Sequence, residues 1–88
     1  EQLESDVKKY LGNAKKENLG HIVALIAPHA GYVYSGQTAA YGFKQIEGAK
    51  YEKVILIGPS HHAYFKGASI ANATHYKTPL GLLRISDD

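Results

Sequence analysis

Residues 22–27, Ile-Val-Ala-Leu-Ile-Ala, are apolar at every position and stop at Pro28, after which the chain presents His29. Residues 54–57, Val-Ile-Leu-Ile, repeat the device: they stop at Gly58-Pro59-Ser60 and lead into the pair His61 and His62. A run without alternation has no polar face to turn toward solvent, so it suits a strand buried on both faces of a parallel sheet. Full burial stabilises each of Ile22, Val23, Leu25 and Ile26 by roughly 1.5–3 kcal/mol, against roughly 1.5 kcal/mol per residue lost in ordering. Such a strand therefore holds only if helices cover it.

The surrounding sequence supplies helices. In residues 1–11, Leu3, Val7, Tyr10 and Leu11 form an apolar stripe on an otherwise charged helix, which reads as a covering helix. Gly12 and Asn13 are stop signals, and residues 14–20 read as a polar linker. Ser35 is placed to cap a second helix over residues 36–46, with Ala39, Ala40, Phe43 and Ile46 at helical spacing and Gly48 as its end. This register puts Phe43 against the sheet. Run, helix and run together fit a right-handed parallel unit of about 30 residues. Residues 68–71 are a candidate third strand, and Thr78-Pro79-Leu80-Gly81 a turn into the last segment. The expected fold class is α/β, a largely parallel or mixed sheet covered by helices.

At 88 residues the chain has room for one small domain, and one of this size buries only about two thirds of its unfolded surface. The unfinished pattern of residues 82–88 and the lack of an initial methionine suggest part of a larger domain. Ten basic and eight acidic residues are scattered, for a net charge of +2, with no like-charged block to hold nucleic acid or a membrane surface. No apolar run reaches the about 18 residues a membrane span needs, and the charged start is not a signal peptide. With no cysteine, disulfides and thiolate ligands are excluded within these residues. A cytoplasmic protein is expected.

Ligands of open parallel sheets bind beyond the carboxyl ends of the strands, and both Pro-His turns fall there. Strands that are neighbours end about 4.8 Å apart, so His29 and His61 are expected to converge on one metal-sized point. Proline fixes its own φ and extends the residue before it, which aims the side chain that follows. Imidazole is the commonest side-chain ligand for transition metals; two histidines with one carboxylate suit non-haem Fe(II), and zinc fits the same donors. Adjacent residues in an extended loop point apart, so His62 ranks below His61. His21 and His75 follow no buried run and read as ordinary hydrogen-bonded residues. Ser60 beside His61 is no evidence for a serine nucleophile, since adjacency does not make the required hydrogen bond. No phosphate-cradling loop follows Gly31 or Gly36, and no Gly-x-Ser-x-Gly elbow surrounds Ser60. Tyr32 and Tyr34 are candidate pocket walls.

Three segments in order, Ile26-Ala27-Pro28-His29-Ala30-Gly31-Tyr32, Ile57-Gly58-Pro59-Ser60-His61-His62 and Tyr76-Lys77-Thr78-Pro79-Leu80-Gly81, resemble the successive motifs of the Memo family. The likeness covers nearly all of residues 1–88 and about the first third of a family member, so the chain is expected to be the N-terminal part of a single Memo-like α/β domain. The family resembles the class III extradiol dioxygenases, which implies a dioxygenase-like fold in which His29 and His61 match two metal-site histidines. It further implies a divalent metal, iron or copper, with zinc as the alternative, and a third ligand outside this chain. The family's tryptophan motif, its later acid and histidine, and the cysteine found in some members are absent from these residues.

Two classes of function follow. One is a metal-dependent protein of oxidoreductase or dioxygenase type acting on a small molecule or peptide, with His29 and His61 as catalytic and metal-binding residues and Tyr32, Ser60 and His62 lining the pocket. The other is a non-enzymatic module that binds a peptide or partner protein in the same cleft.

Overall fold

A computed structural model describes all residues from Glu1 to Asp88. The chain divides into two compact units, Glu1–Ala49 and Lys50–Asp88.

The first unit is helical. Helix α1 spans Gln2–Asn13, and its exposed face is knitted by a Gln2 Nε2 to Asp6 Oδ1 hydrogen bond of 2.8 Å and a Lys8–Glu4 ion pair of 2.7 Å. Both are i,i+4 pairs, the spacing that makes side chains neighbours on a helix surface. Gly12 does not stop the helix, which continues to Asn13 and ends at Ala14, whose backbone is extended and whose side chain is buried. A π turn at Tyr32–Gly36 then leads directly into helix α2, Gln37–Lys44. Tighter i→i−3 bonds carry the chain on to Ala49, and Gly48 adopts φ +78°, a left-handed conformation that glycine takes without penalty.

Side-chain contacts join α1 and its trailing segment to α2 and the residues that flank it. Gln37 Nε2 donates to the Tyr10 carbonyl at 2.9 Å, and the Tyr10 ring lies so close to Gly36 that a β-carbon there would stand 2.8 Å from its Cε2. Gln45 works at the far end of α2: its Oε1 accepts from Glu17 N at 2.7 Å while its Nε2 donates to the Lys15 carbonyl at 2.9 Å. Lys16 Nζ adds a 2.8 Å bond to the Glu47 carbonyl. The polar segment read from sequence as a linker is thus pinned to a helix. The small core sits here, with Ala14 and Ala40 as its buried apolar residues. Phe43, expected to face a sheet, is 46% exposed; the sheet it was to cover is not formed.

The second unit contains one hairpin, β1 His75–Thr78 and β2 Gly81–Arg84, antiparallel with Tyr76 opposite Leu83 and Lys77 opposite Leu82. Its turn lies at the Thr78–Gly81 segment predicted. Pro79 restricts φ, and Thr78 Oγ1 accepts from Leu80 N at 3.1 Å and donates to the Gly81 carbonyl at 3.3 Å. Gly81 takes φ +139°, outside the range of most side chains.

The expected parallel sheet is the main correction. The structure is a mixed α/β one, with two α-helices, a π turn and a two-stranded antiparallel sheet, and residues 22–27, 54–57 and 68–71 form no strands. The physical reason is that a strand is defined by its ladder: apolar character selects a residue for burial, but without a paired neighbour the backbone has no bonds to exchange. Residues 22–27 are covered in part, where Leu25 rests on Gly42 of α2, yet Ile26 is fully exposed and Ile57 is 93% exposed. No helix is long and apolar enough to cross a membrane.

Candidate functional site

His29 follows Pro28 on an exposed stretch of the first unit, and the two carbonyls behind it are fixed. Ala30 O accepts from Ser35 Oγ at 2.9 Å, while Gly31 O accepts from both Tyr34 N, at 2.9 Å, and Ser35 N, at 3.1 Å. Ser35 is the buried polar residue of the molecule. The sequence assigned it a capping role, but the helical backbone begins earlier, at Tyr32, so its hydroxyl lies inside a turn and donates backward to a carbonyl five residues away. Tyr32 opens that turn and is more than half exposed, three residues beyond His29.

His61 and His62 lie on the exposed loop of the second unit, and Ser60 shapes it. Ser60 Oγ donates to the Ala63 carbonyl at 2.6 Å and accepts from Ala63 N at 3.2 Å, so both histidines sit on a bend closed by one hydroxyl. With its proton committed to a backbone carbonyl, Ser60 is not arranged as an activated nucleophile. His75 lies on β1, with Nδ1 3.0 Å from Thr74 Oγ1.

Each unit thus brings imidazole nitrogen to an accessible loop, a donor that suits iron, copper or zinc. Within neither unit do three or more histidine, aspartate or glutamate side chains converge to hold a metal ion, fewer than the three or four protein ligands that most such sites use. Sequence reasoning singled out the histidines and missed the clamp on the His29 loop. The signal for it was Ser35 directly before Gly36, a small polar residue next to a position that a neighbouring ring must approach.

The whole chain, residues 1–88, matches the model of the Memo family, described as Memo-like protein. It is 46% identical over 79 residues to Protein memo-1 homolog of Caenorhabditis elegans, covering 90% of this chain and 22% of the worm protein. It is 38% identical over 88 residues to a MEMO1 family protein of Schizosaccharomyces pombe, covering all of this chain and 28% of the yeast protein. With Protein MEMO1 of Danio rerio it shares 39% identity over 84 residues, covering 96% of this chain and 28% of the fish protein. The chain therefore spans between about a fifth and three tenths of the length of these relatives. No solved structure matches it. A family match over every residue, joined to relatives that align through both Pro-His turns, leads to one conclusion: this chain belongs to the Memo family.

Proposed function

We propose that His29 and His61 ligate one divalent metal, iron or copper by preference and zinc as the alternative, in a dioxygenase-like cleft of the native-length protein. The observation that carries this reading is that two apolar runs each end at a proline followed within two residues by a histidine, Pro28-His29 and Pro59-Ser60-His61, in a chain that matches a single family over residues 1–88. Both rings stand on exposed loop residues, and imidazole nitrogen is a donor such metals take. A redox-active metal held there supplies electron transfer and Lewis acidity to a small molecule or peptide. The chain's own contribution is to present two lone pairs from fixed loops; a remaining ligand comes from elsewhere in the protein. Tyr32, Ser60 and His62 are proposed to line the same pocket.

A second reading, a module that binds a peptide or partner protein without metal chemistry, is favoured by the uncovered apolar side chains of residues 54–57. Metal analysis of the native-length protein, purified without chelators, separates the two: a stoichiometric redox metal supports the first, and a persistently metal-free protein the second. In calorimetric titration with Fe(II) or Cu(II), His29→Ala and His61→Ala are expected to remove most of the affinity, His62→Ala less, and His21→Ala almost none. Equal binding by all four variants refutes the shared site, as does a structure with the two rings more than about 8 Å apart, since metal–nitrogen bonds are about 2 Å.

A further inference from the structure

Ser35 is only 8% exposed, in a molecule with very few buried residues, and it is polar. A serine inside a helical segment is neutral to unfavourable for the helix, because its hydroxyl competes for backbone partners. Here the competition has a defined target: Ser35 Oγ holds the Ala30 carbonyl at 2.9 Å, directly after His29. The next carbonyl, that of Gly31, is held by two amides of the same π turn. Such turns are rare and occur often at functional sites. The turn is itself anchored, since its last residue, Gly36, admits the Tyr10 ring.

We propose that Ser35 is a positioning residue for His29, fixing through the Ala30 carbonyl the backbone from which the imidazole projects. This rests on the reading of His29 as a metal ligand. Without the hydroxyl, the Ala30 carbonyl loses its partner and the loop samples other conformations. The apparent dissociation constant then rises in inverse proportion to the fraction of time the loop is in its binding geometry.

The test is anaerobic calorimetric titration of Fe(II) into the native-length protein and its Ser35→Ala, Ser35→Thr, Gln37→Ala and His29→Ala variants, with a thermal melt of each. Ser35→Ala is expected to weaken binding about 10-fold, the size of effect seen when a residue supporting a ligand is lost. Ser35→Thr keeps the hydroxyl and should retain affinity. Gln37→Ala releases the helix anchor without touching the loop, so it should lower the melting temperature and leave affinity in place. Unchanged affinity in Ser35→Ala, while His29→Ala abolishes binding, overturns the positioning role. So does an equal loss of affinity in Gln37→Ala, which reduces the effect to general destabilisation. Wild-type binding by His29→Ala overturns the ligand reading itself and this proposal with it. If Ser35→Ala does not fold, Ser35→Cys, similar in size and a weak donor, is titrated in its place.

Discussion

Two glycines that face neighbouring side chains differ in what stands opposite them. A β-carbon at Gly36 would meet the Tyr10 ring at 2.8, 3.2 and 3.3 Å, whereas at Gly42 the close atom is one methyl of Leu25, also at 2.8 Å. A ring moves as a rigid plate; a terminal methyl moves by one rotation. Overpacking costs about 1–3 kcal/mol and alanine regains up to about 1 kcal/mol of helix propensity over glycine. Gly36→Ala should therefore destabilise the protein by about 1 kcal/mol, while Gly42→Ala should be close to neutral, both read by denaturant titration. Phe43→Ala shows where sequence was misleading at this scale. A fully buried phenylalanine costs about 3–5 kcal/mol to truncate, but Phe43 is exposed, so a loss well below that range is expected. Helical spacing ranked Ala39, Ala40, Phe43 and Ile46 as one face, and Ala40 is the member that is buried. Periodicity identifies a face but not which part of it a neighbour reaches.

Among the elements, both helices and the turn at Thr78–Gly81 were legible because their causes are local: an apolar stripe, a stop glycine, a proline followed by glycine. Strands depend on partners distant in sequence, and apolar composition alone did not produce them in residues 22–27 and 54–57. The hairpin was missed because its strands are only four residues long and Leu82 and Leu83 are adjacent, so no apolar alternation marks them. The candidate histidines were read from the prolines before them, and the bonds that hold their loops came only with the structure. In α1, hydrogen bonding and charge from Lys8 hold the Glu4 carboxyl below its ordinary value of 4.5. A depressed carboxyl contributes helix stability above that ordinary value and loses it as pH falls through the lower folded one. Circular dichroism at low salt should show a small loss of helix over that acidic window, absent in Glu4→Gln and weakened by salt. In the hairpin, Gly81→Ala forces a side chain into a φ of +139° and should cost about 1 kcal/mol or more.

For the molecule as a whole, the governing fact is uncovered apolar surface. The 88-residue chain, made by itself, is expected to bind a hydrophobic dye and to show weak near-ultraviolet dichroism, in the manner of states with secondary structure but little fixed packing. A sharp cooperative melt without dye uptake would contradict this. Ile57→Ser should reduce dye uptake and leave the melt nearly unchanged, since an exposed side chain away from special features shifts stability by no more than about 0.5 kcal/mol. The clasp made by Gln45 carries a different consequence, for digestion by trypsin. Lys15 and Lys16 look like ready cleavage sites in an exposed, irregular segment. A protease must draw several residues of its substrate into an extended groove, and here the Lys15 carbonyl and the Glu17 amide are both held by one side chain. Lys66 stands beside Gly67, with φ +86°, on an exposed bend outside that clasp. Early nicks should therefore fall in the second unit and spare the doublet, and Gln45→Ala should turn Lys15 and Lys16 into fast sites.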